Sequence, residues 1–222
     1  MQTYIVRVWL PDRPGALGAV ASRIGAVRGD VVGIDILERG GGRAIDELVV
    51  QLPEADLVSL LVGEIDQVDG VDVEDVRVAP DELCDSRLEA LETAALLVAM
   101  DSFGPLLDVL VAHAWRDFFA EWAVVVDLDD SVLLASEGAS PPPGWLAAFV
   151  AGSRSSAPVV AGECGPDDVA WTALADSRLA LVLGRHGRPF RARERQQLAA
   201  LARIADHRRA ELESRRSELT PT

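Results

Sequence analysis

Lysine is missing from this chain of 222 residues, whose 21 basic residues are all arginine. Schiff-base catalysis, covalent attachment of pyridoxal phosphate and a phosphate-loop lysine are thereby excluded. Cysteine is nearly missing as well. Cys84 and Cys164 lie far apart and form no CxxC pair, so neither a disulfide framework nor a thiolate metal site is expected. The three histidines, His113, His186 and His207, have no HxH or HExxH spacing, and no metal or other cofactor is expected. Long apolar runs are lacking too. The best candidates, such as Thr93 to Met100, fall far short of the roughly 20 residues that span a bilayer, so no membrane partner is expected. Positive charge is scarce: 21 basic against 36 acidic residues give a formal charge of −15, and such a surface repels phosphate backbones. No nucleic-acid partner is expected. The first residues offer neither a basic start nor an apolar signal core, which makes a cytoplasmic location the default expectation.

What is present is an ordinary globular composition, 49% hydrophobic and 26% charged, rich in the Ala, Val, Arg and Gly of a GC-rich bacterial genome. Its length suits two compact units.

In the first of these, Thr3 to Leu10 mixes β-branched, aromatic and aliphatic residues and stops at Pro11, the pattern of a strand. After Asp12-Arg13-Pro14-Gly15, apolar Leu17, Val20, Ala21, Ile24 and Val27 recur at helical spacing to a stop near Gly29, with Asp12 placed to cap the helix. Asp30 to Glu38 and Ala44 to Leu52 read as a hairpin around the turn Arg39 to Arg43. Pro53 opens a second helical pattern through Leu57, Leu60, Leu61 and Ile65, and Gly70 ends it. Val71 to Ala79 alternates as a half-buried strand. The order strand, helix, strand, strand, helix, strand is that of the ferredoxin-like split βαβ arrangement, with both helices on one face of an antiparallel sheet and the other face left bare. A bare face or edge favours pairing with a second copy, so a homodimer is expected.

Residues 81–86 read as a linker, and residues 87–216 as a second domain with helical spacing before and after a break at Ser102 to Pro105. Strands are expected at Trp122 to Leu128, Val132 to Ser136, Pro158 to Ala161, Asp168 to Leu174 and Arg178 to Leu183. A short helix belongs at Trp145 to Val150 and a long one at Arg191 to Ser214, with residues 217–222 fraying. Asp127, Asp129 and Asp130 lack the further oxygen ligands of a calcium loop and read as a hairpin turn. The arginine-rich stretch from Arg185 to Arg216 is either a solvated helix face or a docking surface for an acidic protein partner.

The densest chemical signal is Leu10-Pro11-Asp12-Arg13-Pro14-Gly15-Ala16-Leu17, between the first strand and the first helix. Gly15 lets a ligand approach the backbone, and unpaired amides at a helix start favour a carboxylate. Asp12 is placed to accept from an ammonium group, and Arg13 to pair with a second acidic group. This segment, with Gly33-Ile34-Asp35-Ile36 on the next strand, resembles the signature of the ACT family of amino-acid-binding regulatory domains. The resemblance covers residues 1–80 and implies a dimer in which the loop of one copy faces the second strand of the other. It implies ligand-binding residues Asp12, Arg13, Pro14, Gly15, Ala16, Leu17, Ile34, Asp35 and Ile36. The second region resembles a GAF domain through the order of its elements.

The expected fold is therefore α+β, an ACT-like domain followed by a GAF-like sensor domain with an antiparallel sheet and flanking helices. The expected function is non-catalytic: a small-molecule amino acid binds the first domain and its presence is transmitted to the second domain or to a partner. The alternatives are an allosterically regulated enzyme with its active site in the second region, and a scaffold whose ligand loop is vestigial.

Overall fold

The computed structural model describes residues 1–80, 86–160, 166, 168–174 and 178–218. The chain divides into two units, Met1–Leu83 and Cys84–Thr222.

In the first unit the elements run β1 (Gln2–Pro11), α1 (Ala16–Ala26), β2 (Asp30–Gly40), β3 (Arg43–Leu52), α2 (Val58–Ile65, preceded by a 3-10 turn at Ala55–Leu57) and β4 (Asp72–Val78). All strand pairs are antiparallel, in the order β2-β3-β1-β4. The hairpin turn is tighter than the five residues expected. Gly41 and Gly42, both at positive φ, carry the whole reversal, and Gly40 already pairs with Arg43. Two successive positive-φ residues match the right-handed twist of the flanking strands, a backbone that glycine adopts without a Cβ penalty.

Register assigns every strand residue a face. Tyr4, Val6, Val8 and Leu10 of β1 lie opposite Val50, Leu48, Asp46 and Ala44 of β3. Apart from Asp46, these residues join Ala16, Val20, Ile24, Leu61 and Ile65 of the two helices in one apolar core. The face without helices carries a charged cluster. Arg7, Glu47, Asp75 and Arg77 meet there, and Glu47 Oε1 accepts from Arg7 Nη2 at 2.8 Å and from Arg77 Nη2 at 2.8 Å. Exposed apolar side chains gather instead on the edge strand β2, at Val32, Ile34 and Ile36.

In the second unit α3 (Ser86–Ala99) and α4 (Phe103–Asp117) lead into β5 (Trp122–Asp127), β6 (Val132–Gly138), α5 (Pro143–Ser153), α6 (Ala157–Val160), β7 (Val169–Leu174), β8 (Leu179–Gly184) and α7 (Ala192–Glu218). The antiparallel sheet has the order β6-β5-β8-β7. Its central strands β5 and β8 are buried at every residue. Ala123, Val125, Leu181 and Leu183 pack into a core with residues of α4 and α7, while Trp122, Val124, Val126 and Val182 pack on the other side with Leu146 and Val150 of α5. Burial on both faces explains why these strands read as unbroken apolar runs.

Three expectations change. Pro158 to Val160, expected within a strand, lies in the short helix α6, because Pro158 falls in its first turn where a missing amide costs nothing; Ala161 lies outside the described residues. For the same reason α4 begins at Phe103, ahead of Pro105. Helix α7 continues through Ser217 to Glu218. Residues 81–85 of the expected linker, with Cys84, and residues 219–222 of the expected frayed end lie outside the described residues, as does Cys164.

Candidate functional site

The loop from Asp12 to Gly15 joins the end of the central strand β1 to α1. Its start is fastened to the hairpin, since the Asp12 amide donates to the Gly42 carbonyl at 2.9 Å. Arg13 N then bonds Pro11 O at 2.8 Å and Ala16 N bonds Arg13 O at 3.3 Å, folding the loop into a compact turn. Gly15 is the N-cap of α1 at φ 87°, a left-handed conformation that a side chain would strain, and a Cβ built there meets nothing within 4 Å. The ground above Gly15 is open.

This geometry corrects the expected role of Asp12. No side chain caps α1, and Asp12 stands three residues ahead of the N-cap. Its carboxylate is exposed and makes no hydrogen bond or ion pair among the described residues, and the same holds for Arg13. The amides of Gly15 and Leu17 likewise meet no protein acceptor among the described residues. Pro14 is exposed, Ala16 is buried in the core and Leu17 packs at its edge. Backbone donors at a helix start, with an exposed acid and base beside them, suit a small zwitterion.

The second group of expected residues is split by the pleat. Ile34 and Ile36 pair with Leu48 and Asp46, so both lie on the face that carries the helices. Asp35 pairs with Glu47 and therefore lies on the opposite face, away from the loop. Adjacent strand residues cannot share a face, and the motif alone does not give the phase.

One residue that the sequence reading passed over is Asp46. It occupies the inward row of β3, between Ala44 and Leu48, and is only 3% exposed. Its Oδ1 is enclosed and has no hydrogen-bond partner among the described residues. Burial lifts its carboxyl above the ordinary aspartate range; Arg39 pulls it partly back, and the charge of Asp12 pushes it further up. Asp46 thus feels the charges of both the hairpin and the loop. The signal was available in Ala44-Ile45-Asp46-Glu47-Leu48: two adjacent acids in an alternating strand force one of them inward.

Elsewhere the ionisable groups are tied into the structure. Asp127 Oδ1 accepts from the amides of Asp129 at 3.0 Å and Asp130 at 3.2 Å, and Arg178 bonds its Oδ2, so these aspartates build the hairpin turn. His186 pairs with Glu121 at 2.7 Å on the surface, and His113 Nδ1 sits 2.9 Å from Thr93 Oγ1. Arginines of the basic stretch turn inward: Arg185, side chain 1% exposed, is bonded to both carboxylate oxygens of Glu194 and to the carbonyls of Phe118, Arg188 and Pro189. Arg195 donates to the carbonyls of Val169 and Pro166, and Arg208 to that of Met100. No helix among the described residues is long and apolar enough to cross a membrane.

No protein-family model matches the chain, and no curated protein matches it. Similar solved structures include the ACT domain of the GTP pyrophosphokinase of Chlorobium tepidum, with 17% identity over 35% of this chain and 97% of that one and a TM-score of 0.29. An ACT domain protein from Streptococcus pneumoniae is 17% identical over 38% of this chain and 97% of its own, with a TM-score of 0.31. An unknown protein from Galdieria sulphuraria is 14% identical, covers 96% of this chain and 92% of its own, and gives a TM-score of 0.35. Likeness at this level assigns neither a family nor an activity to the chain.

Proposed function

We propose that residues 1–80 are a ferredoxin-like, ACT-like module that binds a free amino acid at Asp12–Leu17, and that the protein is a non-catalytic regulator. The observation that carries this reading is the open Gly15 loop, whose free amides at the start of α1 offer a carboxylate a ready-made seat. The pairing of the buried charges Arg185, Glu194 and Arg195 within the second unit supports a structural rather than a catalytic role for them. That unit, read as GAF-like, or a protein partner responds to the ligand, in the cytoplasm. Coupling of this kind is typically about 1–3 kcal/mol.

The module works as a homodimer in this reading. Val32, Ile34 and Ile36 expose apolar surface along β2, the edge strand of the sheet, and an exposed apolar edge is a place where a second copy can associate. Ile34→Glu would then turn a dimer into a monomer in sedimentation; a dimer that persists unchanged places the interface elsewhere.

A thermal-shift screen with the twenty amino acids tests the ligand. A ligand at 100 times its Kd stabilises the folded state by about 2.7 kcal/mol, a plain rise in Tm. Gly15→Val should abolish that rise and the calorimetric signal while the circular dichroism spectrum is kept. Retained affinity in this variant would remove the loop from consideration.

A further inference from the structure

We infer that Asp46 is the seat of the ligand's ammonium group, so that the site takes primary amines that also carry a carboxylate and rejects the matching hydroxy acids and N-acylated compounds. This rests on the amino-acid reading of the loop and specifies which protein group decides it.

The inward row of β3 is Ala44, Asp46, Leu48, Val50 and Leu52, and every member but Asp46 is a buried apolar residue of the core. An enclosed carboxylate oxygen without a donor costs free energy in the unliganded protein. The neighbours across the strands cannot relieve it, since Val8 on β1 and Ile36 on β2 have no polar side-chain atom. Five side-chain atoms are enclosed without a partner among the described residues: Asp46 Oδ1, Arg77 Nε, Trp171 Nε1, Arg188 Nη1 and Arg191 Nε. The three arginines keep other polar contacts and the indole is neutral, which leaves Asp46 as the one acid in that state.

The position of Asp46 supplies the second half of the argument. It lies on the face that carries the helices, opposite Val8 and one inward pair from Leu10 and Ala44, the last such pair before the loop that starts at Asp12; the charges of Arg39 and Asp12 act on it there. A ligand whose carboxylate meets the Gly15 and Leu17 amides therefore has a buried acid available for its other end. An ammonium group donates three hydrogen bonds and brings the opposite charge, which is what the enclosed oxygen lacks. A hydroxyl brings no charge, and an acylated nitrogen brings neither charge nor room. A site built around a polar partner discriminates strongly against ligands lacking it, because the buried group is then left unpaired. Asp12, at the exposed rim, acts in solvent and contributes less.

The experiment is calorimetry on the full chain, using the amino acid with the largest thermal shift, its 2-hydroxy analogue and its N-acetyl derivative. Both analogues should bind the parent protein about tenfold to a hundredfold more weakly than the amino acid. Asp46→Asn should weaken the amino acid by a similar factor and leave the affinity for the analogues nearly unchanged, with an unaltered circular dichroism spectrum. Should that variant fail to fold, the analogue series on the parent decides alone: three equal affinities overturn the inference. If Asp46→Asn keeps the parent's affinity while Gly15→Val loses it, the loop remains the binding site and the assignment of Asp46 is wrong. If no amino acid binds the parent at millimolar concentration, the reading of the loop fails and this inference fails with it.

Discussion

Asp46 and Glu47 are neighbours on one strand, and the pleat sends them to opposite faces of the sheet and into opposite circumstances. Glu47 faces Arg7 and Arg77. Burial alone would push its carboxyl up, but the two guanidiniums and their hydrogen bonds overcome it and hold the group below the usual glutamate range. Asp46 faces the core, its Oδ1 without a donor among the described residues, and burial keeps its carboxyl raised. The sheet thus carries one acid that completes the fold and one that the fold leaves incomplete. Proteins keep buried polar groups satisfied almost everywhere, which makes Asp46 the exceptional acid among the described residues.

The largest effect that can break this comparison is the loss of Glu47. Glu47→Ala removes the carboxylate that bridges Arg77 and Arg7, whose side chain is 1% exposed, and should lower stability by about 3–5 kcal/mol in urea unfolding. A loss below about 1 kcal/mol would make the pair a surface contact in energetic terms. Asp46→Asn without ligand should behave in the other direction: its urea midpoint at pH 7 should equal or exceed that of the parent. The sign follows from linkage. A carboxyl whose folded pKa is raised binds its proton more tightly in the native state, so its contribution is fully present below the unfolded pKa and is lost as pH rises through the folded pKa. The advantage of Asp46→Asn should therefore vanish in acid. Glu47, with a lowered folded pKa, stabilises above the ordinary glutamate pKa and loses that contribution as pH falls through its folded value. If the Asp46→Asn midpoint fell as far as that of Glu47→Ala, the two acids would be equivalent after all. The smallest effect belongs to Asp12→Ala, which removes an exposed, unbonded side chain and should change stability by less than about 0.5 kcal/mol.

Much of the first unit was legible in the residues because its patterns are periodic: apolar spacing marks α1, alternation marks β4, and Pro53 and Gly70 bracket the second helical region. The glycine at position 15 also pointed to the loop. What escaped depended on phase or on partners remote in sequence. Asp35 seemed to belong with Ile34 and Ile36, yet alternation turns it to the other face. Asp46 was hidden inside a segment recognised only as a strand. The Pro158-Val159-Val160 run suggested a strand from two β-branched residues, but a proline in a first helical turn reads the same way locally. The arginines near the C-terminal end looked like a free basic surface, and only the fold reveals the carbonyls and Glu194 that receive Arg185, Arg195 and Arg208.

The two-glycine turn at Gly41–Gly42 has a further consequence. Because a hairpin counts residues, inserting a single amino acid there would invite β3 to slide by one position and exchange the assignments of its two acids. The length of one reversal thus decides which of two neighbouring carboxylates is turned toward the core and which toward the opposite face.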